Sequence, residues 1–174
     1  VVGVTTFCRY PPEVLDKPKI GTFTNPNLEV ILKARPDLVV VLVEQHELRR
    51  KLRNLGLTVL VLQHNTLGGI YESMLKLGNK TGMRLIAQRR IDVIRRQLDE
   101  IRRLSRIFPK RKVMFVVGRT QATVRDLVVV GQNSFLNELI SIAGGVNCFE
   151  DAETTYPRIP REQMYARGPE VIID

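Results

Sequence analysis

Tryptophan is absent from this chain of 174 residues, and cysteine and histidine occur only twice each. Cys8 and Cys148 stand far apart with no CxxC pair, which excludes a zinc knuckle or a dithiol redox motif. A disulfide between them would tie the two halves of the chain together. Two free thiols, with Cys148 buried, is the favoured reading. His46 and His64 have no partner at metal-ligand spacing and read as surface or satisfied histidines, so no metal site is expected. Only four Tyr and six Phe are present, and none is interleaved with basic residues as a base-stacking surface requires. No apolar run approaches the roughly 20 residues of a membrane span. The phosphate-cradling G-x-x-x-x-G-K-[ST], the metalloprotease H-E-x-x-H and the nucleophile elbow G-x-S-x-G are all missing. With no catalytic constellation, the chain reads as a non-enzyme with no resident cofactor.

What is present is the composition of a globular protein, 44% hydrophobic, with 27 basic against 18 acidic residues and a net charge of +9. That charge invites a nucleic-acid-binding module, which would show binding that falls steeply with salt. Eight of the basic residues, all arginines, lie between Met83 and Ile107, interspersed with Asp92, Asp99 and Glu100, as on a solvated basic face. The same stretch carries Ala87, Ile91, Ile94, Leu98 and Ile101 in steps of four and three, the stripe of an amphipathic helix. Gly82 precedes it and Pro109 closes it. At its full length such a helix runs roughly 37 Å. It is either a spine joining two lobes or an ordinary surface helix.

On either side the chain follows α/β grammar. Val1 to Val4 reads as a strand, and Thr5 to Lys19 as a loop with adjacent Pro11 and Pro12. Asn25-Pro26 opens a helix that stops at Arg35, because Pro36 disfavours the helical conformation before it. The apolar run Leu38 to Val43 fits a strand buried on both faces of a parallel sheet. A helix over Glu47 to Leu55 and a strand over Thr58 to Leu62 follow, then a short helix over Tyr71 to Leu77 and a polar junction at Gly78 to Gly82. Beyond Pro109, the expected elements are a strand at Lys112 to Val117 and a loop or hairpin at Gly118 to Val130. A helix at Asn133 to Ala143 ends at Gly144-Gly145, and an extended Val146 to Phe149 leads into a polar loop through Tyr156-Pro157. A helix at Pro160 to Arg167 and a strand at Val171 to Ile173 complete the chain. The expected organisation is an N-terminal lobe over 1–82, a connecting helix over 83–108 and a C-terminal lobe over 109–174. The chain begins and ends on strand-like residues and reads as part of a longer one, truncated at both ends.

One unit recurs on the two sides of the long helix. Glu29 and Glu162 each stand in a first helical turn seven residues before a proline, Pro36 or Pro169. Each proline is followed by an acid, Asp37 or Glu170, and then a β-run. Two carboxylates on separate lobes do not suit acid–base catalysis, which needs both within reach of one substrate. They suit a surface that one partner recognises twice.

Four pieces together resemble a known family: Val1-Val2-Gly3-Val4-Thr5-Thr6-Phe7-Cys8-Arg9-Tyr10-Pro11-Pro12-Glu13, Asn27 to Glu29 with Arg35 to Val39, Ser134 to Leu139 with Ala143 to Asn147, and Tyr156-Pro157 with Arg161 to Gln163 and Pro169. They are similar to the substrate-binding proteins of ABC importers for vitamin B12, haem and iron siderophores, the cobalamin-binding branch above all. The resemblance implies two α/β lobes with parallel-type sheets, joined by one long rigid helix, with the ligand in the cleft between the lobes. It implies that Tyr10, Phe23 and Tyr156 line that cleft, where flat rings suit a planar macrocycle. Phe23 is equally readable as core. Arg119 and Arg125 are candidates to pair an acidic ligand. The resemblance also gives Glu29 and Glu162 the role of pairing with permease arginines. The implied cargo is a corrinoid, or haem or a ferric siderophore, since corrinoid binders often use the tryptophan that this chain lacks. The implied place is the periplasm, or the outer face of the membrane with a lipid anchor, peripheral to the bilayer and without nucleic acid.

Overall fold

Asn27, and not Asn25, caps the first helix. In the computed structural model, which describes residues 1–119 and 126–174, the Asn27 side chain accepts from the Val30 N–H. Pro26 is held outside the helix by a bridge to Gly21. The helix, α1 (Leu28–Lys33), ends before Pro36, and Arg35 takes a positive φ of 46° as the proline forces it out of the right-handed region. Strand β1 (Val39–Leu42), helix α2 (His46–Asn54) and strand β2 (Val59–Leu62) follow. The two strands pair in parallel, Val39 opposite Val59 through Leu42 opposite Leu62. These elements belong to the first of two compact units, Val1–Leu62. Its core is Ile31 of α1, Val41 of β1 and Leu52 of α2, with Leu28, Leu48, Val39, Val59 and Val61 packed around them.

Two expectations change here. Val1 to Val4 is not a strand; Val4 makes a single parallel bridge to Lys19. The β1 run is not buried on both faces either. The pleat sends Val39 and Val41 toward the helices and Val40 to the other side, where it stays 45% exposed.

The second unit, Gln63–Asp174, begins with helix α3 (Leu67–Lys80), twice as long as the Tyr71 to Leu77 helix expected, capped by the Thr66 hydroxyl accepting from the Gly69 N–H. Gly78 is inside this helix and not in a junction, because α4 (Arg84–Ser105) passes so close that a Cβ on Gly78 would lie 2.7 Å from the Ala87 Cβ. The apolar stripe of α4 buries Ile91 fully and Ala87, Ile94 and Leu98 in part, while Ile101 at its far end remains 45% exposed. The Arg95 guanidinium lies over the Tyr71 ring, 4.9 Å from its centroid, and Ser105 Oγ donates to the Ile142 carbonyl at 2.9 Å. The long helix is thus fastened to its neighbours in this unit along one face and at its end. Among the described residues no helix is long and apolar enough to cross a membrane.

A mixed sheet forms the rest. Strand β3 (Arg111–Gly118) pairs in parallel with β5 (Gly145–Asn147) and β7 (Val171–Ile173), and antiparallel with β4 (Leu127–Val129). Strand β4 in turn pairs antiparallel with β6 (Arg158–Ile159). Helices α5 (Phe135–Ile142) and α6 (Arg161–Arg167) complete the unit. Met114, Val116, Leu127, Val129, Phe149, Ile159 and Met164 form its main core, and Cys148 lies within it. Both cysteines are free thiols, and burial pushes the Cys148 thiol up from its ordinary value.

Candidate functional site

Each expected aromatic stands on a loop whose backbone is fastened from below. Tyr10 is the apex of the proline loop and is 88% exposed. The Lys19 ammonium donates to the Cys8 carbonyl at 3.2 Å and the Val14 carbonyl at 3.1 Å, closing the loop from both flanks. The ring is therefore displayed and not packed. Covering such a ring would return roughly 1.5–3 kcal/mol.

Phe23 sits in a tight turn in which Thr22 N–H donates to the Asn25 carbonyl and Asn25 N–H to the Thr22 hydroxyl. Gln45 ties that turn to the sheet: its Nε2 donates to the Phe23 carbonyl at 2.9 Å and its Oε1 accepts from the Leu42 N–H at 3.0 Å. Leu42 is the last residue of β1, so Phe23 is held at the carboxyl end of a parallel strand, where ligands bind in open α/β sheets. At 47% exposure the Phe23 ring is not a core residue.

Tyr156 belongs to the second unit and is 40% exposed. Its loop is clamped to the strand that precedes α5. Val129 N–H donates to the Pro157 carbonyl, and Gly131 N–H to the Thr155 carbonyl at 2.8 Å. The approach admits no side chain, because a Cβ on Gly131 would fall 2.3 Å from the Thr154 carbonyl. The Tyr156 hydroxyl lies 3.4 Å from Ser134 Oγ, and that buried serine also caps α5 by accepting from the Leu136 N–H. Beneath it, Asn147 is buried, its Nδ2 donating to the Val130 carbonyl and to Asn137 Oδ1, both at 2.9 Å. On the same turn of α5, Glu138 Oε1 accepts from the Leu67 N–H at the start of α3.

Arg119 forms an ion pair with Asp174 at 2.7 Å, beside an apolar hollow of ≈ 90 Å³ lined by Met114, Val116 and Leu127. Arg125 lies outside the described residues. Glu29 and Glu162 both stand in first helical turns, of α1 and α6, and both are exposed. Sequence reading passed over Lys19, Gln45, Gly131 and the pairing of Asn137 with Asn147. Each acts on main chain or on another polar side chain, so its signal is spatial and not periodic. Among the described residues no group of three His, Cys, Asp or Glu is placed to hold a metal ion. Three partly or largely exposed rings thus stand on hydrogen-bonded loops, with hydroxyl and amide groups beside one of them.

The chain folds as two α/β units and belongs to the periplasmic binding protein family, which matches residues 1–173. Among curated relatives it is 27% identical over 174 residues to the vitamin B12-binding protein of Vibrio cholerae, covering 99% of this chain and 61% of that protein. It is 28% identical over 177 residues to the vitamin B12-binding protein of Salmonella choleraesuis, covering 99% of this chain and 64% of that protein. Among solved structures, the periplasmic vitamin B12-binding protein of Vibrio cholerae superposes with a TM-score of 0.82 at 26% identity, over 98% of this chain and 66% of that one. The periplasmic haem-binding protein of Roseiflexus sp. RS-1 shares the fold, with a TM-score of 0.84 at 24% identity over 99% of this chain and 66% of that one. The chain thus spans 61–64% of the length of these curated relatives.

Proposed function

We propose that this chain is the ligand-capturing part of an ABC importer's substrate-binding protein, taking up a corrinoid or related metal chelate and delivering it to a membrane permease. The observation that carries this reading is the similarity over 99% of the chain to proteins named for vitamin B12 binding. Tyr10, Phe23 and Tyr156 are the ligand contacts, because exposed rings on fastened loops suit a broad, flat, largely apolar cargo. Arg119 is a fourth contact, available to an acidic ligand by exchange of its Asp174 partner. Glu29 and Glu162 are the permease-docking carboxylates. The protein works in the periplasm, or outside the membrane on a lipid anchor, and catalyses no reaction. Within it, residues 1–82 and 109–174 act as lobes and 83–108 as the connecting helix.

Haem or a ferric siderophore is the second reading, favoured by the absence of tryptophan. The test is gel filtration of the chain with cyanocobalamin, followed at a visible wavelength where only the corrinoid absorbs, and in parallel with haemin. Co-elution of one cyanocobalamin per chain supports the corrinoid reading. Co-elution of haemin alone selects the second. Co-elution of neither chelate, nor of a ferric siderophore, rejects the proposal.

A further inference from the structure

Asn147 has every polar atom committed, and that commitment fixes the orientation of its neighbour. Its Oδ1 accepts from the Phe149 N–H at 3.1 Å, and only an oxygen can do so. Its Nδ2 must therefore be the atom that faces the Val130 carbonyl at 2.9 Å. The Gly131 carbonyl lies at 3.4 Å from the same nitrogen. One hydrogen remains for Asn137, whose Oδ1 stands 2.9 Å away and has to be the acceptor. The Asn137 amide is thus turned so that its oxygen points inward and its nitrogen outward. Among the described residues nothing takes the two hydrogens on Asn137 Nδ2, and that nitrogen is not among the buried atoms left without a partner. Asn137 is half-buried, so this nitrogen is not sealed from solvent, and it stands on the first turn of α5, the turn that Ser134 caps beside the Tyr156 hydroxyl.

We infer that Asn137 is a ligand-binding residue that presents only hydrogen-bond donors, and that Asn147 is the positioning residue that turns it. The inference rests on the functional reading given above and adds the chemistry of the cargo's rim. Beside Tyr156, the ligand carries an acceptor, a carboxylate or an amide carbonyl. The same Asn147 amide also holds the Val130–Gly131 main chain, to which the Tyr156 loop is bonded through Gly131 N–H and the Thr155 carbonyl. One buried amide therefore sets both a stacking ring and a polar contact.

The experiment titrates the chain and its variants with cyanocobalamin, whose rim carries amide carbonyls, and with haemin, whose rim carries carboxylates. Asn137→Ala removes the donors, and Asn137→Asp replaces them with an anionic acceptor of the same shape. Each should weaken the bound chelate tenfold or more, with Asn137→Asp the worse of the two for haemin. Asn137→Asp still accepts from Asn147 Nδ2 and should leave the thermal midpoint near that of the parent, whereas Asn137→Ala strands that buried hydrogen and should lower it. Asn147→Ala should lower both affinity and midpoint. In the Asn137→Ala background it should cost stability again but less affinity than in the parent, since part of its effect runs through Asn137. Undiminished affinity in Asn137→Asp, with the parent binding normally, overturns the inference and leaves the functional reading standing. A parent that binds neither chelate overturns both.

Discussion

Gln45 holds Phe23 by its main chain and not by its ring. The amide nitrogen of Gln45 donates to the Phe23 carbonyl and its oxygen accepts from the Leu42 N–H, so one side chain spans from the end of β1 to the turn that carries the aromatic. Gln45→Glu keeps the acceptor for Leu42 and loses the donor for Phe23. Gln45→Ala loses both. Since each such bond is worth about 0.5–1.5 kcal/mol net, Gln45→Ala should be the less stable of the two in urea unfolding. Both should weaken chelate binding, because both release the Phe23 turn. Equal affinity of Gln45→Glu and the parent would remove Phe23 from the site.

The clamp on Tyr156 makes a sharper demand. A Cβ at Gly131 would meet the Thr154 carbonyl at 2.3 Å and Pro157 Cδ at 2.9 Å, and neither is the free end of a flexible side chain. Gly131→Ala must therefore push the 154–157 loop away from β4. The expected cost is about 1–3 kcal/mol, as for other overpacked sites, read from denaturant midpoints. Gly118→Ala is the control, since its nearest neighbours are side-chain atoms of Val128 at 3.7 Å or more. A Gly131→Ala protein as stable as the parent would mean that the loop is free to move.

The alternation of helices and strands was legible in the chain, because hydrophobic period and Gly/Pro punctuation are local signals. The apolar stripe of α4 and the stop imposed by Pro36 were both visible there. So was the placement of Tyr10 in an exposed proline loop. What could not be read was which of two nearby Asn residues caps α1, since that is decided by the Gly21–Pro26 bridge. Nor could Gly78 be assigned to a helix interior, because its reason is the distant Ala87. The Asn137–Asn147 pair lay inside segments already noted for their resemblance, yet its meaning depends on which acceptors surround a buried amide.

Glu170 links β7 to the start of β3, and this makes stability depend on pH. Its carboxylate accepts from the Lys112 N–H at 2.8 Å and from Arg111 at 2.6 Å, and these bonds hold its pKa below the ordinary 4.5. Arg167 and Arg103 lower Asp151 and Glu100 in the same way. A carboxyl with a depressed folded pKa stabilises the native state above its unfolded value, and the contribution is lost as pH falls through the folded one. Thermal midpoints should therefore be flat near neutrality and fall below about pH 4.5. Glu170→Gln should be less stable than the parent at pH 7, and the gap should close as the pH falls. A gap of constant size from pH 7 to pH 3 would mean that the Glu170 charge contributes nothing.

Tyr10 and Tyr156 separate binding from folding. Tyr10 is almost wholly in solvent, so Tyr10→Ala should change stability by no more than about 0.5 kcal/mol, as exposed substitutions do. Its chelate affinity should nevertheless fall, and together with Tyr156→Ala the loss should reach about tenfold or more, which is about 1.4 kcal/mol. Tyr156→Phe isolates the hydroxyl that lies near Ser134. It should retain most of the stacking and lose only what that contact adds. The readout is visible-band titration of each variant, and full affinity in the double variant would take both rings out of the site.

The paired glutamates test delivery instead of capture. Glu29 and Glu162 are exposed first-turn residues on α1 and α6, one in each unit, and neither is needed for a core. Exposed ion pairs each contribute about 0–1 kcal/mol, so two such pairs with a permease would set the orientation of docking more than its strength. Reversing both charges, Glu29→Arg with Glu162→Arg, should leave chelate affinity and folding intact. In cells that depend on the full-length protein for chelate uptake, the double reversal should abolish transport, because like charges would then face the permease. Each single reversal should reduce uptake in part, since one correct pair still orients the complex. Unchanged uptake by the double variant, with normal expression, would show that the two carboxylates serve only the helix N-termini on which they stand.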